Sequence, residues 1–318
     1  MNALEATTTG GENTAVGYEA LQSTQTGGQN VAVGAYALEN NQTGGQNVAV
    51  GYKAAESNLA SNITAVGYYA ALKNTSGTAN TAIGRLALEQ NQTGNNNTAV
   101  GYNALEENTS NENTAVGNRA LGVSTTGQKN VAVGSLTLDA NTTGSHNTGV
   151  GYNVLGENTT GTNLVAVGSQ ALDANTTGTH NVGIGQDALG ANTTGTNNTA
   201  VGANSLDSNS TGNNNTAIGR DSLQSNTTGI LNTACGRLAL AFNTTGDQNV
   251  AVGEGALESN TTADYNTGIG TKALQLNTTG TQQVAVGYAA LSATTTGEYN
   301  TAVGYQALDA NTTAHYNT

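Results

Sequence analysis

A tetrapeptide ending in glycine, first met as Thr14-Ala15-Val16-Gly17, returns along the whole chain at nearly constant spacing. Its glycines run from Gly17, Gly34 and Gly51 to Gly304 and mark eighteen copies, separated by fifteen steps of 17 residues and two of 16. Self-similarity of this kind means one supersecondary unit stacked many times, because a single copy has too little apolar surface to bury alone. The consensus is Asn-Thr-Ala-Val-Gly-Tyr-x-Ala-Leu-x-x-Asn-Thr-Thr-Gly-x-x.

Asn-Thr-Thr-Gly, or a variant of it, in the repeats would break any helix after about two turns, so the unit is built from short strands and turns. The expected coil holds two strands of four or five residues, with turns at the motif glycine and at Asn-Thr-Thr-Gly. Coils stacked in register at about 4.8 Å would give a rod on the order of 85 Å. The expectation is an all-β parallel β-solenoid of about 18 coils, continuous over 1–318 as a single domain that starts and ends in mid-repeat.

Aligned copies form columns. The residue before the motif glycine is Val, Ile or Cys235, and the residue three before it is Thr or Val. Side chains two apart share one face of a strand, and this face is expected to point inward. Between them lies Ala or Gly in every copy, as at Ala82, Gly149, Gly183 and Gly268, which predicts a flat outer column open to close approach. Leu stands four residues after the glycine in sixteen copies, from Leu21 to Leu308, with Ala55 and Ala71 as exceptions, and forms a second inward column. Two Asn columns, Asn13, Asn30, Asn47 and Asn80 before the strand and Asn41, Asn58, Asn74 and Asn91 in the second turn, read as ladders of amides bonded from coil to coil.

Only 36% of the residues are hydrophobic and Pro is absent, so the core is thin. Three apolar side chains per coil are few for ordering 17 residues, and a further buried face is expected. The flat Ala/Gly column is its expected location, and a parallel homotrimer the simplest arrangement.

Net charge is −13 with eight Lys plus Arg, which disfavours nucleic acid and anionic membranes as partners, since phosphate contacts need clustered basic side chains. One cysteine excludes an internal disulfide framework. Residues 1–8 lack the basic start and apolar stretch of a signal peptide, and no segment is long and apolar enough to span a bilayer as a helix.

Repeats supply like groups in rows, whereas catalysis needs unlike groups brought together, so no enzyme, cofactor or metal site is expected. His146 and His180 lie two coils apart and read as exposed turn residues. Cys235 reads as a small buried hydrophobe in the inward column. The acidic row Glu39, Glu56, Glu89, Glu106, Asp139, Asp173, Asp207, Glu258 and Asp309 reads as a solvated face. Tyr follows the motif glycine at Tyr18, Tyr52, Tyr68, Tyr102, Tyr152, Tyr288 and Tyr305, in a column that elsewhere holds residues such as Arg85 and Asn118. That variable row is the candidate recognition feature, since tyrosines bind carbohydrate or protein by stacking.

The motif Asn-Val-Ala-Val-Gly at 30–34, 47–51, 130–134 and 249–253, with its Asn-Thr-Ala-Val-Gly variants, resembles the head repeats of trimeric autotransporter adhesins. It is also similar to repeat shafts of phage tail fibres. The resemblance covers essentially the whole chain. It implies a left-handed parallel β-roll assembled as a trimer and displayed extracellularly, on a cell surface or a virion. Adhesin head repeats of this type are usually shorter, which puts the extra residues in the Asn-Thr-Thr-Gly turn. The stalk, membrane barrel and chaperone domain of those families are missing from these residues, as they would be in an excerpt of a longer fibre; for a complete chain the lack of a signal peptide would favour a tail fibre over an autotransporter. The function expected is a structural shaft for surface display and adhesion, with itself and a host-surface receptor, matrix or glycan as partners. The alternative is ice binding through ranks of Thr such as Thr142-Thr143, Thr176-Thr177 and Thr244-Thr245.

Overall fold

The computed structural model describes residues 3–318. They form two compact units, Met1–Thr160 and Gly161–Thr318. In the first, β1 to β9 are Thr14–Val16, Val31–Val33, Val48–Val50, Thr64–Val66, Thr81–Ile83, Thr98–Val100, Thr114–Val116, Val131–Val133 and Thr148–Val150. In the second, β10 to β18 are Val165–Val167, Val182–Ile184, Thr199–Val201, Thr216–Ile218, Thr233–Cys235, Val250–Val252, Thr267–Ile269, Val284–Val286 and Thr301–Val303. Each unit is a parallel β-solenoid. Consecutive strands pair in register, as Thr14 with Val31, Ala15 with Ala32 and Val16 with Val33 in the first, and Val165 with Val182, Ala166 with Gly183 and Val167 with Ile184 in the second.

Each coil contains one three-residue strand, where two longer strands were expected. The rest of the coil is held by backbone bonds to its neighbours without strand dihedrals. The segment after the motif glycine places residues such as Tyr36 (φ 62°) and Leu38 (φ 51°) in the left-handed region. Both keep cross-coil partners there: Tyr36 N–H donates to Tyr18 C=O at 2.8 Å, and Leu38 N–H to Ala54 C=O at 3.0 Å. A left-handed Leu is sterically unfavourable by about 1–2 kcal/mol, and its hydrogen bond and burial offset that cost. In the second turn Gln25, Thr26 and Gly27 all point their N–H groups at the carbonyl of Gln42, at 2.9, 3.1 and 3.3 Å.

The motif glycine cannot be replaced locally. Gly219 has φ +128°, and a Cβ there would stand 2.7 Å from the backbone carbonyl of Gly236 in the next coil. Successive coils meet backbone to backbone along this column.

The core is narrow, and its composition corrects the expected orientation of the strand. The Leu column points inward: Leu38, Leu88, Leu172 and Leu240 are fully buried, and Ala55 and Ala71 take the same place. On the strand, however, the middle residue is inside and its neighbours are outside. Ala32 is fully buried while Val31 and Val33 are 36% and 37% exposed. Alternation permits either arrangement, and interior width selects this one. At Gly183 an added Cβ would already lie 3.3 Å from the Leu172 side chain, so an inward Val has no room. The flat Ala/Gly column is therefore an interior feature. Gly149 shows the same constraint, since the methyl of Thr137 would lie 2.7 Å from its Cβ: where β-branched Thr137 and Val154 enter the opposite wall, the strand gives up its methyl.

Candidate functional site

Four rows of side chains define what the coils can do. The first lies inside. Asn30 donates its side-chain amide to Gly44 C=O at 3.0 Å, and its own Oδ1 accepts the Asn47 N–H at 3.0 Å. In the other column Asn226 donates to Asn209 Oδ1 at 2.8 Å and to Gly229 C=O at 3.0 Å. Both columns are ladders of buried amides, as their spacing predicted, and they hold backbone groups that would otherwise be desolvated and unpaired. Of the hydroxyls that replace Asn in this column, that of Thr294 still donates to Asn311 C=O at 3.0 Å, whereas at two others the ladder weakens. Thr24 and Ser124 are buried there, and their oxygens have no hydrogen-bond partner.

The second row is the outer strand face, on which the Val, Ile or Cys235 before the motif glycine forms a continuous apolar column beside a column of Thr and Val. Val31, Val33, Val48, Val50, Val131 and Val133 are each 36–38% exposed, and in the second unit Ile184, Ile218, Val252 and Ile269 continue the pattern. Cys235 stands in this outer column and is exposed, a correction to the buried hydrophobe expected of it. Large apolar patches of this kind are seldom left bare on a monomer.

The third row is tyrosine, at the corner beside that face. Tyr18, Tyr52, Tyr68, Tyr102, Tyr152, Tyr288 and Tyr305 are all exposed, by 40–73%. In the first unit they do not stand alone. Tyr36 and Tyr69, one position further on, join them: Tyr36 meets Tyr18 and Tyr52 edge-on at 5.4 and 5.8 Å, and Tyr69 stacks on Tyr68 at 4.1 Å. Lys53 Nζ lies over the Tyr36 ring at 5.3 Å, and the Arg85 guanidinium lies over both Tyr68 and Tyr102, at 5.8 and 5.3 Å. Sequence reading confined to one column missed Tyr36, Tyr69 and Lys53, and took Arg85, which stands in that column, only as a sign of its variability. The signal was present as aromatic and basic residues at adjacent positions of neighbouring repeats. Tyr288 and Tyr305 form a separate stacked pair in the second unit, 5.3 Å apart.

The fourth row is acidic and half-buried, where a solvated face was expected. Burial pushes the carboxyls of Glu39, Glu106, Asp139, Asp173 and Asp207 above the ordinary carboxylate range. Arg119, 3.1 Å from Asp139, works against that rise. His146 and His180 are exposed turn residues. Among the described residues no three Asp, Glu, His or Cys side chains come together as a metal site, and no helix is long and apolar enough to cross a membrane. In the Thr pairs the first hydroxyl is committed to the backbone: Thr142 Oγ1 donates to Thr159 C=O at 3.1 Å, and Thr244 Oγ1 to Thr261 C=O at 3.0 Å.

No protein-family model matches the chain, and a search of curated proteins finds no match.

Proposed function

We propose that the chain is a structural shaft, displayed outside a cell or on a virion, that associates with copies of itself as a parallel homotrimer and serves adhesion or spacing. The observation that carries this reading is the outer strand face. Coils turn a Thr or Val and a Val, Ile or Cys235 outward around an inward Ala or Gly, and parallel stacking lines up the second of these as a continuous apolar column on each unit. Copies packed through that column would bury what one chain leaves in water, and a parallel arrangement keeps like coils level. Resemblance of the Asn-Val-Ala-Val-Gly motif to adhesin heads and tail-fibre shafts supports three chains and an extracellular setting. The mechanism is mechanical. Ladder bonds resist unfolding, and many copies of one surface feature add avidity.

Analytical ultracentrifugation of the full chain tests this. The expected mass is three times 31.8 kDa, falling to one chain when Val131 and Val133 are both changed to Asp. A monomer at micromolar concentration would overturn the reading.

Ice binding is the second reading, and one observation favours it: the outer strand face is a regular array of Thr and Val, as at Thr199 and Val201. The Thr pairs support it less, because their first hydroxyls are already donated to carbonyls. A thermal hysteresis measurement separates the two, since a shaft shows none.

A further inference from the structure

We infer that the ridge made by Tyr52, Tyr68, Tyr69, Arg85 and Tyr102 in the first unit is a binding site for an extended acidic polysaccharide, a chain of sugars that carry carboxylates. Three observations converge on it. First, the aromatic groups are continuous: Tyr52 stacks near Tyr68 and Tyr69 at 5.5 and 5.8 Å, Tyr68 on Tyr69 at 4.1 Å, and Arg85 bridges onward to Tyr102. Tyr52, Tyr68 and Tyr102 remain 40–42% exposed, so apolar ring surface is offered to solvent in a line running from coil to coil. Sugar rings present apolar C–H faces to such surfaces.

Second, Arg85 is a free cation. The chain carries 21 acidic residues against eight basic ones. Arg119, Arg220 and Arg237 each pair with a carboxylate, at 3.1, 2.9 and 2.6 Å. Among the described residues Arg85 has no carboxylate within ion-pair distance, whereas the other three arginines, Lys53 and Lys129 each have one. A guanidinium lying over aromatic rings keeps its in-plane N–H donors available, and that fork matches a carboxylate in two-point contact.

Third, the pairing of ring surface with one unpaired planar cation selects the ligand class. A neutral glycan would leave Arg85 unused, and a nucleic acid needs clustered basic side chains that a ridge built around Arg85 does not offer. A uronate chain uses both features, with its sugar rings on tyrosine and one carboxylate on the guanidinium.

The inference deepens the adhesive reading above and rests on it for a ligand outside the chain. The test is titration calorimetry of the full chain with a galacturonate hexamer, with the neutral galactose hexamer and with monomeric galacturonate as comparators. The hexamer is expected to bind, and binding to weaken at least tenfold in Arg85→Gln and in Tyr68→Ala, with partial recovery in Arg85→Lys. Tyr288→Ala, in the second unit, is expected to leave it unchanged. Binding of the neutral hexamer at equal strength, indifference to Arg85→Gln, capture of monomeric galacturonate as tightly as the hexamer, or no binding at all would each overturn the inference. Sedimentation of the same samples reports association independently, so a trimer that ignores the hexamer sinks this proposal alone, and a monomer that binds it sinks only the proposed assembly.

Discussion

Asn30 and Asn41, eleven positions apart in the chain, donate their side-chain amides to one and the same carbonyl, that of Gly44, at 3.0 and 2.9 Å. Gly94 accepts from Asn80 and Asn91 in the same way, at 2.7 and 3.0 Å. The two internal ladders are thus tied together at every such glycine. A coil with a very small apolar core is held by buried amides whose donors and acceptors are nearly all matched, and such networks are costly to break at one member.

Removing one rung should therefore cost more than a surface polar contact. Asn226→Ala strips a donor from Gly229 C=O and Asn209 Oδ1 and takes from the Asn243 amide one of its two acceptors. A loss of about 2–3 kcal/mol is expected, read as a lower midpoint in guanidinium unfolding followed by circular dichroism. A change under about 0.5 kcal/mol would show that the ladders are not what holds the coils.

The converse change should stabilise. Thr24 occupies an Asn position, is fully buried and leaves its hydroxyl unpaired, while Gly27 C=O accepts only from the Asn13 amide at 2.9 Å among side chains. Thr24→Asn restores the second donor seen at Gly44. About 1 kcal/mol of added stability is expected, visible as a raised thermal midpoint.

Orientation of the strand can be tested with neighbouring residues. Ala217 is fully buried and Ile218 is 43% exposed. Ala217→Leu overfills the interior and should cost about 1–3 kcal/mol at any protein concentration. Ile218→Thr should instead act through association, lowering stability only where copies meet. If the two substitutions exchanged these behaviours, the inside and outside of the coil would have to be reversed.

Acid should strengthen part of the fold. Burial holds the Asp173 and Asp207 carboxyls above their ordinary value, so the folded chain binds these protons more tightly than the unfolded one. Stability from these groups is complete below the unfolded value of about 3.9 and is lost as pH rises through the raised folded values. Replacing both with Asn should raise stability at pH 7 by a few tenths of a kcal/mol after solvent screening is allowed for. That advantage should fade by pH 4 in paired thermal melts, and a pH-independent difference would contradict it.

Period and residue type alone determined a good deal. The return of the motif glycine every 16 or 17 residues required stacked coils, a Leu column replaced only by Ala55 and Ala71 required an interior, and the two Asn columns required ladders, because each depends only on like residues meeting like residues one coil away. Tertiary structure decided the rest. Whether Ala32 or its neighbours Val31 and Val33 face inward is undetermined by alternation, which allows both, and the answer lies in an interior too narrow at Gly183 for more than a methyl. The second expected strand was lost for a related reason. Leu38 and its counterparts take left-handed dihedrals that their side chains disfavour, and only the bond to the next coil makes that conformation worth adopting. The ridge around Arg85 was hidden likewise, since an arginine becomes an unpaired cation between tyrosines only once neighbouring coils have been set at their fixed rise.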